Sequence, residues 1–186
     1  NNSLNHDSIF ENINDTSKRK KISDQYEEYV EYFNIGKKYI VDKSLLNFFW
    51  IGFIKILFPN AKIIHCYREP KNNCLSIYKN LFEESLKFSY DESDLIEFYK
   101  MYQDLIEFWR LEKGINFIDV SYEKLIENNE TEIKRIIKEC GLKWDEKCLF
   151  HFKNKNPIKT MSTAQARKPI YKSSINNFDK YKNWIE

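Results

Sequence analysis

The chain of 186 residues is long enough to bury one substantial core, and its 4 Gly and 4 Pro favour a helix-rich domain without long flexible linkers. Its 30 basic and 28 acidic residues leave a formal net charge of +2, which argues against a nucleic-acid partner or a membrane surface. No segment has the length and apolar purity of a membrane span, so we expect no membrane insertion.

The first half of the chain predicts a polar segment followed by a strand between two helices. Residues 1–23 are polar, and we separate them from an α/β domain over 24–186. The apolar spacing of QYEEYVEYF at 25–33 indicates one face of a helix. KYIVD at 38–42 then predicts a short strand, and the apolar run at 45–57 predicts a buried helix.

The second half predicts two further strands, at 61–67 and 115–120, both rich in β-forming residues. Helical patterns lie between and after them, at 71–82, 91–112, 121–127, 130–141 and 145–152. This alternation of strands and helices predicts an α/β fold, in which helices flank a parallel sheet.

The number and spacing of the cysteines favour a reducing compartment and argue against a metal site. There are four, at positions 66, 74, 140 and 148, and none forms a CxxC pair or has a histidine at a zinc-like offset. We therefore expect free thiols, no bound metal and a reducing compartment, the cytoplasm.

Three polar side chains directly follow the predicted strands: Lys43, Arg68 and Tyr122. Because ligands of open α/β sheets bind outside the carboxyl ends of the strands, these side chains lie where a site is expected. The helix after Arg68 offers backbone N–H groups, and Ser76 adds a hydroxyl, so Arg68 and Ser76 form a candidate phosphate clamp. The alternative is that Arg68 pairs with Glu69 or another carboxylate, and that Ser76 bonds within its own helix.

Four blocks of the sequence, which together span residues 40–184, resemble the sulfotransferases in the order in which that family carries them. VDKSLLNFFWIGFIKILFPNAKIIH is similar to the family's DK-x-P-x-N-F stretch, and FPNAKIIHCYREPKNNCLSIY to its 3'-phosphate-binding segment. VSYEKLI at 120–126 is similar to its YE-x-L motif. STAQARKPIY at 162–171 resembles the late segment of the branch that includes protein-tyrosine sulfotransferases and bacterial sulfotransferases attached to tetratricopeptide repeats.

This resemblance implies a three-layer, P-loop-like sheet and a nucleotide donor, 3'-phosphoadenosine 5'-phosphosulfate (PAPS). Its sulfuryl group is transferred to a hydroxyl or amine acceptor, and 3',5'-adenosine bisphosphate (PAP) is the product. On the family's pattern, Arg68 and Ser76 match the positions that hold the 3'-phosphate, and Tyr122 matches the tyrosine near the adenine. Lys43 matches the catalytic lysine, and Asn47 matches a position that orients the acceptor.

The late segment closes over the nucleotide in the family, and its cofactor-contacting positions match Ser162, Arg167 and Lys168. The chain departs from the family's pattern at Leu45, where proline is frequent. It also departs at Phe178, where tryptophan is usual.

The family's other signature, a strand–loop–helix close to P-R-S-G-T-T that cradles the 5'-phosphosulfate, does not occur in this sequence. We therefore expect the chain to be the C-terminal portion of a longer enzyme and to be inactive by itself. A homologue that binds nucleotide without catalysis is the alternative. Two other classes stay open: a P-loop kinase-like phosphotransferase, although no GK[ST] occurs here, and a helical interaction module. The sequence specifies neither the acceptor nor the oligomeric state.

Overall fold

A computed structural model describes residues 14–34, 36, 38–80, 82, 84–154, 167–170, 178 and 181 of the chain. The chain divides into two compact units. The first unit comprises residues 1–61 and 104–115, and the second comprises residues 62–103 and 116–186.

Helices and strands follow one another along the described residues. They are α1 (Thr16–Asn34), α2 (Ile51–Leu57), β1 (Ile63–Tyr67), α3 (Pro70–Tyr78), α4 (Glu92–Leu111), β2 (Phe117–Ser121), α5 (Tyr122–Glu127) and α6 (Asn129–Glu139). Shorter 3-10 segments lie at Asn47–Trp50, Glu84–Tyr90 and Glu146–Lys153. Each predicted helix overlaps helical residues of the structure, and the strands predicted at 61–67 and 115–120 are confirmed. The helix predicted as buried at 45–57 is divided between the 3-10 segment Asn47–Trp50 and α2, and of its residues Ile51 alone is buried.

The two strands form a small parallel sheet in the second unit. Their register runs from Ile63 opposite Phe117 to Tyr67 opposite Ser121. Because parallel neighbours need a long crossover connection, the chain between them contains α3 and α4. The parallel sheet and its accompanying helices confirm the α/β class, while the three-layer arrangement stays a prediction.

The strand predicted at 38–42 is wrong. Residues 38–44 lie in no helix or strand, and the side chains of Tyr39, Ile40 and Val41 are exposed. Residues that favour strands form one only where a neighbouring strand pairs with their backbone and a surface covers one face. Within the described residues β1 and β2 pair with each other alone, so Lys43 does not follow a strand.

The core of the second unit surrounds β2. Ile118 and Val120 of this strand are buried, as are Leu75 of α3, Leu95 of α4 and Ile126 of α5. Since strand side chains alternate between faces, Ile118 and Val120 point to one face of the sheet. This packing holds the carboxyl end of β2 in place.

A polar network on the other face links the sheet to α4. His65 Nδ1 lies 2.8 Å from Asp119 Oδ1 on the neighbouring strand, and His65 Nε2 lies 2.6 Å from the Tyr102 hydroxyl. Arg135 of α6 donates a 2.6 Å hydrogen bond to the carbonyl of Asp119. Because a buried polar group without a partner is costly, these bonds favour the observed register over a shifted one.

In the first unit, α2 lies against the ring of Trp109. The indole Nε1 donates a 2.9 Å hydrogen bond to the carbonyl of Phe48, which fixes the position of the ring. A Cβ atom at Gly52 would lie 2.7 Å from two carbons of that ring. Gly52 is therefore required by this close approach rather than by its backbone conformation.

No helix among the described residues is long and apolar enough to cross a membrane. The same residues contain no group of three or more His, Cys, Asp or Glu side chains placed to hold a metal ion. All four cysteines, Cys66, Cys74, Cys140 and Cys148, are free thiols.

Candidate functional site

The carboxyl ends of β1 and β2 bring Arg68 and Tyr122 together. The last residue pair of the sheet joins Tyr67 to Ser121, so the next residue on each strand leaves the sheet at the same edge. The guanidinium carbon of Arg68 lies 4.8 Å from the centroid of the Tyr122 ring, in cation–π contact. Two of the residues predicted for the site therefore lie side by side at the predicted edge.

A carboxylate on α5 connects the two strand ends. Glu123 Oε1 accepts a 3.0 Å hydrogen bond from the backbone N–H of Glu69, and Glu123 Oε2 accepts one of 3.0 Å from the Ser121 hydroxyl. Ser121 is itself buried and caps α5 by accepting a bond from the Lys124 N–H. Arg68 and Tyr122 are thus flanked by residues that bond to each other.

The N-terminus of α3 differs from the sequence prediction. Its backbone N–H groups were expected to be open to an anion, but Glu69 caps the helix and accepts bonds from the N–H groups of Lys71 at 3.1 Å and Asn72 at 2.8 Å. Pro70, the first helical residue, has no N–H to offer. The open helix end predicted after Arg68 is therefore wrong, because a side-chain carboxylate already satisfies it.

The Glu69 cap makes the stability of α3 depend on pH. Partial burial acts to raise the pKa of Glu69, but the hydrogen bonds from Asn72 and Lys71 outweigh it, so the pKa lies below the ordinary value of 4.5. A group whose pKa is lower in the folded state contributes stability above its unfolded pKa. That contribution is lost as the pH falls through the folded pKa.

We expect Glu69→Gln to lower the free energy of unfolding by about 1 kcal/mol at pH 7, since the neutral amide is a weaker cap. The difference from the wild type should shrink as the pH falls below the ordinary glutamate pKa of 4.5 and the wild-type carboxylate becomes protonated. Urea unfolding of both proteins at pH 7, 5, 4 and 3 measures this difference in the free energy of unfolding. Glu127→Gln, an exposed acid on α5, is the control. A wild-type advantage that stays constant down to pH 3 would contradict the role of the charge.

Ser76 lies in the last turn of α3 and is half-buried. It is six residues beyond Pro70, which places it about 9 Å along the helix axis from the helix start. Its carbonyl accepts a 2.5 Å hydrogen bond from the Asn80 side chain. This bond competes with continuation of the helix, which ends at Tyr78 rather than at residue 82 as predicted.

Asn72 is a residue that the sequence analysis missed. It is buried, its Nδ2 donates a 2.7 Å bond to Glu69 Oε2, and its Oδ1 accepts a 2.9 Å bond from the backbone N–H of Phe178. The ammonium of Lys71 lies 5.3 Å from the centroid of the Phe178 ring. Asn72 therefore joins the start of α3 to Phe178, which follows the late segment in the sequence. Its position, three residues after a Glu-Pro helix start, is the signal that could have revealed it.

The predicted lid residues are described only in part. Arg167 is half-buried, and Lys168 is exposed, with its carbonyl 3.1 Å from His151 Nε2. Ser162 lies outside the described residues. Lys79, the residue directly after α3, donates a 2.8 Å bond to the hydroxyl of Tyr181, which follows the late segment in the sequence.

Lys43 and Asn47 belong to the first unit. Lys43 is exposed and follows Asp42, whose carboxylate is held from two sides. The Tyr26 hydroxyl donates a 2.7 Å bond to Asp42 Oδ2, and Asn47 Nδ2 donates one of 3.1 Å to Asp42 Oδ1. Burial, together with this bond to Asp42, raises the pKa of Tyr26 to about 12, so the hydroxyl keeps its proton at neutral pH. The two hydrogen bonds to Asp42 therefore hold the backbone directly before Lys43 in place.

Comparison with known proteins gives two findings. A sequence profile of the sulfotransferase family matches residues 4–146 of this chain. An uncharacterized protein from Aquifex aeolicus (strain VF5) is 31% identical over 149 residues. That match covers 78% of this chain and 20% of the other protein, so the chain spans about a fifth of the length of this relative.

Proposed function

Because the chain belongs to the sulfotransferase family, we propose that it is part of an enzyme that transfers a sulfuryl group from PAPS to a hydroxyl or amine acceptor, and that it binds the nucleotide at the Arg68–Tyr122 edge. The observation that carries this proposal is the contact of the Arg68 guanidinium with the Tyr122 ring at the carboxyl ends of the parallel strands. An arginine beside an aromatic ring suits a phosphorylated adenosine, since one binds phosphate and the other packs against a base.

In this proposal Arg68 and Ser76 hold the 3'-phosphate. The backbone N–H groups of Lys71 and Asn72 are already bonded to Glu69, so they contribute to binding only if that carboxylate is displaced. We therefore assign 3'-phosphate recognition to side chains rather than to the end of α3. Tyr122 contributes the edge or the second face of its ring to the adenine.

We assign the catalytic charge to Lys43 and the orientation of the acceptor to Asn47. When bound, PAPS supplies the sulfuryl group and a phosphate leaving group. A lysine ammonium stabilises the negative charge that develops on the departing 5'-phosphate oxygen, as cations do in phosphoryl transfer. The bond between Asn47 and Asp42 fixes the asparagine four residues beyond Lys43 in the sequence.

The late segment supplies the lid, with Ser162, Arg167 and Lys168 in contact with the nucleotide. The hydrogen bonds of Asn72 with Phe178 and of Lys79 with Tyr181 support this assignment, since they join residues just beyond the late segment to α3, which carries Ser76, and to the residue that follows α3. Four free thiols support a reducing compartment such as the cytoplasm. Membership of the branch attached to tetratricopeptide repeats is part of the same proposal.

The activity is tested with PAPS carrying a ³⁵S label. Because we expect the chain to be inactive by itself, it is assayed within a longer protein that also supplies a 5'-phosphosulfate loop. That protein is incubated with the label and with three acceptors, a tyrosine peptide, a sugar alcohol and a primary amine. We expect labelled product from at least one acceptor and one PAP released for each sulfuryl group transferred. Absence of both transfer and PAPS binding would contradict the proposed function.

A further inference from the structure

Glu123 lies at the edge where the two strands end, is half-buried, and is not one of the residues predicted to bind the nucleotide. Its two carboxylate oxygens accept bonds from different strand ends, Oε1 from the N–H of Glu69 and Oε2 from the hydroxyl of Ser121, each at 3.0 Å. One carboxylate therefore bridges the exits of β1 and β2.

The bond to Glu69 acts directly on Arg68. The N–H of Glu69 belongs to the peptide unit that joins Arg68 to Glu69, so a bond to it fixes the orientation of that unit and of the Arg68 backbone. On the other strand, Glu123 is the immediate neighbour of Tyr122, and its bond to Ser121 fixes the turn into α5. Both members of the cation–π pair are thus held through the same side chain.

We infer that Glu123 is a positioning residue, which sets the Arg68 guanidinium against the Tyr122 ring so that the edge distinguishes a 3'-phosphorylated nucleotide from its isomers. This inference rests on the proposed function. Glu123 does not touch the nucleotide, and its negative charge alone would weaken the binding of an anion. Glu123 contributes by fixing positions, because a hydrogen bond at each of its carboxylate oxygens restricts the movement of both strand ends.

The predicted consequence is a loss of isomer preference rather than a loss of charge attraction. PAP and 2',5'-adenosine bisphosphate carry the same charge and differ only in the oxygen that bears the second phosphate. A rigid Arg68 separates them, whereas a mobile Arg68 follows either phosphate. Glu123→Ala should therefore reduce the wild-type preference for PAP about tenfold, as expected when one charge-assisted hydrogen bond that orients a group is removed.

Glu123→Gln is the conservative variant. Its amide oxygen can accept the bond from the Glu69 N–H, and its NH₂ group can donate to the Ser121 hydroxyl, so it should keep most of the preference. Glu123→Asp keeps the charge but is one methylene shorter, so it cannot reach both strand ends. We expect the aspartate variant to behave like Glu123→Ala. Glu127→Ala, which removes an exposed acid on the same helix, should leave the preference unchanged.

Isothermal titration of each variant with the two bisphosphates measures the preference, and urea unfolding checks that each variant is folded. If Glu123→Ala does not fold, the aspartate variant is compared with the glutamine variant instead. A preference equal to the wild type in folded Glu123→Ala or Glu123→Asp overturns the inference, as does a glutamine variant as impaired as alanine. Failure of the wild type to bind either bisphosphate would instead count against the proposed function.

Discussion

Replacement of Arg68 by alanine is expected to weaken the affinity of the protein for PAP about 30-fold. The loss corresponds to roughly 2 kcal/mol, the typical contribution of a hydrogen bond to a charged group. The effect should depend on the 3'-phosphate, so the affinity for 5'-AMP, which lacks it, should change little. Isothermal titration of both nucleotides with the wild type and the variant measures this difference.

Two control variants distinguish a specific contact of Arg68 with the 3'-phosphate from a general effect of positive charge. Lys138→Ala removes an exposed cation from α6 of the same unit and should leave both affinities unchanged. Arg68→Lys keeps the charge but loses the planar fork, and we expect it to recover only part of the affinity. Equal affinity of Arg68→Ala and the wild type for PAP would remove Arg68 from the proposed site.

Replacement of Lys43 by alanine is expected to lower the rate of sulfuryl transfer about 100-fold or more, with little change in the affinity for PAP. Removal of one group that stabilises charge in a transition state has effects of about this size. The variant is made in a longer protein that also supplies a 5'-phosphosulfate loop. The rate is followed as release of PAP from PAPS in the presence of an acceptor, under conditions where the nucleotide saturates the protein. Binding is measured separately by titration.

Lys38→Ala is the matched control for Lys43. Lys38 lies in the same segment of the first unit, and its ammonium lies 5.3 Å from the centroid of the Tyr39 ring. Its removal should affect neither the rate nor the affinity. A Lys43→Ala variant that transfers sulfuryl groups at the wild-type rate would exclude Lys43 as the catalytic cation.

Local patterns in the sequence were sufficient to predict the two paired strands and the edge at which Arg68 and Tyr122 meet. The strands at 61–67 and 115–120 are short apolar runs, and each is followed by a helical pattern with a polar residue at the junction. Parallel pairing then brings the two junctions to the same edge, whatever the exact bounds of the strands. The contact between Arg68 and Tyr122 follows from that topology.

The remaining errors and omissions concern interactions between residues that are distant in sequence. KYIVD at 38–42 has the composition of a strand, but whether it pairs depends on a neighbour that its own sequence does not show. The bond between Glu123 and the Glu69 N–H joins residues 54 positions apart. The bond between Asn72 and Phe178 joins residues 106 positions apart. Neither leaves a local pattern.

The Glu69 cap is different, because it was open to prediction. Proline is frequent at the first helical position, which marks the residue before it as the N-cap, and a carboxylate there is placed to accept from the next N–H groups. From the sequence alone, Glu69 is expected only as a partner for Arg68. The structure assigns its carboxylate to the helix and the guanidinium to Tyr122.

The most direct test of the proposed nucleotide site is the affinity of the wild-type protein for PAP measured beside its affinity for 2',5'-adenosine bisphosphate. The two nucleotides have equal charge, so a site that only attracts anions binds them equally. Placement of Arg68 and Ser76 around a 3'-phosphate predicts that PAP binds at least about tenfold more tightly, a difference of about 1.4 kcal/mol. Equal affinities, or binding of neither nucleotide, would contradict that placement.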